Sequence, residues 1–225
     1  PKRNIIPDLV TSGLESVAVR IPNHPLTLQL LALLDYPLAA PSANPFGYIS
    51  PTSPSHVNQQ LGEKIEHILD GGESNVGIES TIIGFHGSQP TIYRLGGLSI
   101  EAIENVIGTV ATTAHSSSNP LAPGMLKSHY APRKPMSLLE NRSDFPHQLD
   151  NSGLLLFDSY ITGYPKEKQR VLSLSGDINE AARNLFSFLR ELDGSNVDYI
   201  MAEKVPPFGL GRAINDRLGR AAATM

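Results

Sequence analysis

The chain has 225 residues, 40% of them apolar, enough for one large or two ordinary domains with their own cores. It contains no cysteine, which excludes disulfides, thiolate metal sites and cysteine nucleophiles, and no apolar run nears the ~20 residues of a membrane-spanning helix. The net charge of −4 divides into −5 over residues 1–112, +3 over 113–136 and −2 over 137–225, so neither half has the basic balance expected of a nucleic-acid module.

The opening Pro1-Lys2-Arg3-Asn4-Ile5-Ile6-Pro7 lacks the apolar core of a secretory signal, and a cytoplasmic location is expected. Ser16 to Ile21 reads as a short strand that Pro22 stops. Arg20, near its end, is either a solvent or ion-pair residue or a guanidinium fork facing a carboxylate. Asn23-His24-Pro25 begins a helix whose Leu26, Leu30, Leu33 and Leu34 recur at helical spacing and should face a sheet. Leu38-Ala39-Ala40 reads as the end of a buried strand. A second helix begins at Thr52-Ser53-Pro54, carries Val57, Leu61, Ile65, Ile68 and Leu69 on one side, and should stop at Gly71-Gly72. Ser80 to Phe85 and Thr91 to Leu95 form a hairpin-like strand pair. Ser99 caps a short helix with Ile103, Val106 and Ile107 turned inward.

Residues 111–136 change character. The stretch from Thr112 to Pro120 is small and polar, as linkers are. Pro123 to Pro132 holds a Lys, a His and a Tyr, which a plain tether does not need, so this part is expected to dock. Beyond it, strands at Gly153–Asp158, Val171–Ser175 and Val197–Met201 alternate with two helices. The first follows the capping box Asp177-Ile178-Asn179-Glu180 and buries Ala181, Leu185, Phe188, Leu189 and Leu192; the second, Ala213 to Ala222, buries Ile214, Leu218 and Ala221. Such alternation predicts a parallel sheet with helices outside. Gly209-x-Gly211 lacks the third glycine of a dinucleotide fingerprint.

The chemistry concentrates between residues 37 and 52. Pro41 and Pro45 forbid a helix through this loop. Ser42, Asn44 and Ser50 therefore sit on a stiff connection at a sheet edge, where open α/β sheets bind ligands. Short polar groups with little bulk suit a ligand that approaches the backbone, such as a nucleotide or an amino acid. The alternative is a proline-rich turn whose serines cap backbone groups. Ser16 and Ser80 carry the same ambiguity, and Glu79 reads as a structural carboxylate or a general base.

Read in order, Ser16-Val17-Ala18-Val19-Arg20-Ile21-Pro22, Pro41-Ser42-Ala43-Asn44, Ser50-Pro51-Thr52, Gly77-Ile78-Glu79-Ser80-Thr81-Ile82 and Arg94-Leu95-Gly96 resemble the YrdC/Sua5 family. Ser128-His129-Tyr130-Ala131-Pro132 and the run from Gly209 to Leu218 are similar to the linker and second domain of its longer, Sua5 type. The resemblance implies a twisted open YrdC-like sheet with helices over 1–110, a linker over 111–136, and a small Rossmann-like parallel α/β domain over 137–225. It implies synthesis of threonylcarbamoyl-adenylate from L-threonine, bicarbonate or CO2, and ATP, the product passing to a tRNA-modifying partner. Carried over, Arg20, Ala40 and Ser80 would hold threonine, and Ser16, Ser42, Asn44, Ser50, Arg94 and Tyr130 would contact ATP. Arg20, Ser42 and Arg94 would serve the reaction, and Tyr130 would reach back over the nucleotide. Mg2+ is expected with ATP, held mainly by the phosphates. The family pattern also places a Lys/Arg-bearing segment before Pro1, so the reading is of a chain incomplete at its amino terminus, weak or inactive alone, with an exposed sheet edge. The competing readings are a carbamoyl-phosphate-dependent relative and a non-catalytic double-stranded RNA or tRNA binder.

Overall fold

The structure is a computed structural model describing residues 1–113, 128–146 and 150–223. Two sheets organise it. The smaller joins β1 (Ile82–His86), β2 (Gln89–Arg94) and β3 (Ala111–Thr112) in the order β1-β2-β3. β1 and β2 are antiparallel around Gly87-Ser88, and Gly87 has the positive φ (63°) that a tight hairpin turn requires. β3 adds in parallel after a helix, α4 (Ile100–Ile107), capped by the Ser99 hydroxyl. Ile92, Ile103 and Val110 form the small core beneath. Val106, expected inside, is 82% exposed, because only one stripe of this two-turn helix meets the hairpin.

The larger sheet has the order β4-β7-β5-β6, from β4 (Met136–Leu139), β5 (Ser152–Leu156), β6 (Gln169–Val171) and β7 (Tyr199–Glu203), all parallel. α5 (Ile178–Gly194) and α6 (Gly211–Ala222) pack on one face with Met136, Leu155, Ile200 and Ala202. The other face, built from Leu154, Leu156 and Val171, is covered by Phe145, Ile161 and Tyr164 from connecting segments. The expected parallel unit and both helix faces are present; β4 is an addition to the sequence reading.

Residues 1–80 depart most from expectation. They contain three helices, α1 (Asp8–Thr11), α2 (Pro25–Ala32) and α3 (Pro54–Leu61), and no strand among the described residues. The strands expected at 16–21 and 38–40 are not formed. A strand needs a neighbour to take its N–H and C=O groups, and neither segment has one; Val19 and Ile21 are 84% and 85% exposed. Leu33 of the expected inward stripe is likewise exposed, since no sheet lies beneath α2. α3 starts as read, with Ser53 accepting from the His56 N–H at 3.3 Å, but ends at Leu61 rather than at Gly71-Gly72. Gly62 interrupts the stripe there, and glycine costs a helix about 1 kcal/mol relative to alanine. Asp70 instead closes a turn by accepting from the Gly72 N–H at 2.8 Å.

The two halves share one core. Ile49, Ile78 and Tyr130 belong to the same buried cluster as Leu185, Phe186, Ile214 and Leu218 of α5 and α6. The interdomain segment is docked where it is described: the Ala131 N–H donates to the Gly47 carbonyl at 2.8 Å, and Tyr48 and Ala131 form an isolated parallel bridge. Of the expected linker over 111–136, residues 114–127 lie outside the described residues.

Candidate functional site

The site is built around the loop 41–52. Asn44 stiffens it from within: its side-chain amide donates to the carbonyls of Pro45 and Tyr48, each at 2.9 Å. These bonds fix the loop, while the Asn44 Oδ1 is buried without a partner. Ala43 (φ 55°) and Gly47 (φ 79°) turn the chain through the left-handed region. The loop then runs into the second domain. The Tyr48 hydroxyl donates to Asp193 Oδ2 at 2.7 Å, and Asp193 Oδ1 receives the N–H groups of Arg133 and Lys134. Burial, reinforced by Asp193, pushes the Tyr48 phenol up to about 12. Arg190 of α5 lies over the Tyr48 ring at 5.0 Å and donates to the carbonyls of Ile49 and Ser50.

Ser50 is 5% exposed, and its hydroxyl donates to Glu79 Oε1 at 2.8 Å. Its proton is therefore committed to Glu79, and toward a ligand it offers lone pairs. Glu79 Oε2 in turn accepts from Nε and Nη2 of Arg217, at 3.2 and 3.1 Å. Burial alone would raise the Glu79 carboxyl, but Arg217, Arg94 and the Ser50 hydrogen bond hold it below the ordinary carboxylate value. An ion-paired carboxylate of low pKa is a poor general base, so of the two readings Glu79 fits the structural one.

Arg94 ends β2 at a register shift: Ile82 pairs with Arg94 and Ile83 with Ile92, leaving Tyr93 as the extra residue. Bulges re-aim side chains, and here the guanidinium turns back to donate to the Ser80 carbonyl, from Nε at 3.2 Å and Nη2 at 2.9 Å. Gly96 and Gly97 hold the two segments together. The Gly97 N–H donates to the Glu79 carbonyl at 2.8 Å, and a Cβ on Gly96 would meet that oxygen at 2.3 Å. Burial depresses the Arg94 pKa against the opposing pull of Glu79, with smaller contributions from the charges of Arg217 and Arg20; Arg20 itself is exposed.

The predicted residues fall into three sets. Ser50, Ser80, Arg94 and Tyr130 are tied into one network with Glu79, and Arg20 is within its electrostatic reach. Ser16, Ala40 and Ser42 are exposed and make no hydrogen bond to that network among those described. Tyr130 is 1% exposed with φ 64°, its ring between Phe186 (5.3 Å) and the guanidinium of Arg217 (5.5 Å), so it faces the second domain rather than an open cleft. Burial pushes its phenol up to about 12. Sequence reasoning missed Arg190 and Arg217. The signal was present, since Arg217 shares its helix face with Ile214, Leu218 and Ala221, where an exposed arginine has no place.

A cavity of about 700 Å3 also opens at the carboxyl ends of β4, β5 and β7, lined by Arg142, Phe157, Glu203, Lys204 and Asn215. Its polar groups are paired among themselves: Arg142 with Glu203, Lys204 with Glu140, and Asn215 with both backbone groups of Val205.

An α/β protein with a stiff polar loop tied to a buried Ser50–Glu79–Arg217 network, joined to a parallel α/β domain, is the class that fold and site define. Comparison with known proteins gives the family. A model described as "Telomere recombination", covering Sua5, YciO and YrdC, matches residues 1–96, and the model of the "Threonylcarbamoyl-AMP synthase, C-terminal domain" matches 98–223. The chain belongs to the Sua5/YrdC threonylcarbamoyl-AMP synthase family. It is 39% identical to the threonylcarbamoyl-AMP synthase of Pyrococcus abyssi over 99% of its own length and 68% of that protein's, and 36% identical to the Bacillus subtilis protein over 95% and 65%. The Schizosaccharomyces pombe protein is 35% identical over 96% of this chain and 60% of its own. A crystal structure of P. abyssi Sua5 complexed with L-threonine superposes with a TM-score of 0.87 over 99% of this chain and 68% of that one, at 38% identity. This chain therefore matches between three fifths and seven tenths of the length of these three relatives. No helix among the described residues is long and apolar enough to cross a membrane.

Proposed function

We propose that the protein is an L-threonylcarbamoyladenylate synthase. The observation that carries this is Arg94 held at the Ser80 carbonyl, next to the buried Glu79–Ser50 pair, on a chain 39% identical to a threonylcarbamoyl-AMP synthase over 99% of its length. The solved P. abyssi relative holds L-threonine, which supports threonine as the amino acid here. In the reaction, the threonine amine takes up bicarbonate carbon with loss of water. A carbamate oxygen then attacks the α-phosphorus of ATP, and the bond to the β-phosphate breaks to release pyrophosphate.

Arg20 would grip the threonine carboxylate in the fork geometry that guanidinium groups offer. The backbone at Ala40 and the Ser80 hydroxyl would orient the amine. Arg94 would stabilise phosphate charge as it moves to the leaving pyrophosphate, a positioning and electrostatic task that needs no covalent nucleophile. Ser16, Ser42 and the Asn44 loop would line the nucleotide. Tyr130 would support it from below through Arg217 and Glu79. Mg2+ would travel as MgATP. Glu79, the carboxylate in the network, is committed to Arg217 and Ser50, and no group of three metal-ligating side chains occurs among the described residues. The adenylate would serve a tRNA-modifying partner in the cytoplasm.

Pyrophosphate release measured with ATP, bicarbonate and threonine tests the reading. Release is expected to depend on all three, with Arg20→Ala raising the threonine KM about ten-fold or more, since a hydrogen bond to a charged group contributes about 1.5–3 kcal/mol. Release indifferent to threonine would defeat it.

A further inference from the structure

We infer that Arg217, a residue of the second domain, is a positioning residue for the amino-terminal site, acting through Glu79 on Ser50 and on the backbone that carries Ser80. The inference rests on the functional reading above and goes beyond it, since it gives the second domain a task inside the reaction.

Arg217 is 1% exposed at its side chain, and its guanidinium is fully engaged. Nε and Nη2 donate to Glu79, Nη1 donates to Asp216 at 3.1 Å, and one face covers the Tyr130 ring. Asp216 is itself steadied by Arg220. Glu79 is therefore held from the far side by a braced cation of the second domain, as well as by Ser50 of its own. On the near side it fixes the Ser50 hydroxyl, and its carbonyl receives the Gly97 N–H. The next carbonyl, that of Ser80, is the one Arg94 grips. Direct contacts thus run from Arg217 across the domain boundary to Glu79 and from Glu79 to Ser50, and Ser80 follows Glu79 in the chain. A buried Arg with a single off-domain carboxylate is a costly arrangement to keep for stability alone. Moving Glu79 would rotate Ser50 and shift the Ser80–Arg94 contact together, and misplacement of about 1 Å costs reaction rate heavily.

The test compares Arg217→Gln, Glu79→Gln and their double variant in the intact protein, with Arg212→Ala as a control. Arg212 pairs with Glu101 on the surface and is outside the network. Both single variants are expected to lower kcat about ten-fold or more with a smaller change in threonine KM, and the double variant to be no worse than the poorer single. Arg217→Lys should recover part of the rate, and it carries the same comparison if Arg217→Gln does not fold. Multiplicative losses, or an Arg217→Gln rate equal to that of Arg212→Ala, would overturn the inference. A carboxyl-carbon titration of Glu79 by NMR separates the two readings. Arg217→Gln should raise its midpoint, and an unmoved midpoint sinks the coupling whatever the turnover. A raised midpoint in a protein whose wild type releases no threonine-dependent pyrophosphate defeats the functional reading instead.

Discussion

At Glu79, burial and ion pairing act in opposite directions, and the pairing prevails. Replacing Glu79 by Ala leaves Arg217 deeply buried with Asp216 alone. Breaking such a pair typically costs about 3–5 kcal/mol, which urea unfolding should read as a lowered midpoint at unchanged slope. The sign of the pH dependence follows from the same groups. Glu79 has a folded-state pKa below its unfolded value, so its stabilisation is present above the unfolded value and lost as pH falls through the folded one. His56 and His129 are depressed chiefly by burial. They bind protons more readily when unfolded, so their share is present above about 6.5 and declines as pH falls from there. Urea midpoints should therefore hold steady from pH 8 to 7 and fall below it in two phases. Glu79→Gln should diminish only the lower phase. A profile flat from pH 8 to 4 would contradict both assignments.

At the scale of elements, the β1–β2 hairpin and the stretch 94–98 act as a clasp on residues 79–81. The Thr81 hydroxyl donates to the Leu98 carbonyl at 2.6 Å and accepts from its N–H at 3.1 Å. Gly96→Ala would drive a methyl group into the Glu79 carbonyl and the Ser80 backbone, so it should lower both the thermal midpoint and threonine-dependent turnover; Gly87→Ala, where nothing lies within 4 Å but φ is positive, should affect stability alone. A Gly96→Ala variant with wild-type turnover would refute the clasp. The same scale shows what the sequence could disclose. α5 and α6 were legible because their periodicity, caps and apolar faces agree, and Ile214, Leu218 and Ala221 are buried as read. The strands at 16–21 and 38–40 were misread because apolar content and proline stops report propensity, while a strand exists only through partners that the local sequence does not name. Ser50 and Arg94 could be picked out as candidates, but the bulge at Tyr93 depends on how two strands pair, and the Arg217 contact joins residues 138 positions apart.

Over the whole molecule, the two halves are cooperative by construction. Ile49, Ile78 and Tyr130 are buried among α5 and α6, and Arg190, Arg217, Tyr48 and Asp193 bond across the boundary. A single unfolding transition, coincident by circular dichroism and by tyrosine fluorescence, is expected; two separated transitions would show that the shared core is not a unit. The exposed apolar side chains of residues 1–50, among them Leu9, Val19, Ile21, Leu33 and Phe46, contrast with the dense second domain. The most direct measurement of the central claim follows the carbon: the protein is incubated with ATP, L-threonine and 13C-bicarbonate, and the adenylate is examined by mass spectrometry. The account predicts threonylcarbamoyl-AMP with the label in its carbamoyl group. An unlabelled product, or an adenylate formed equally well without bicarbonate, would contradict it.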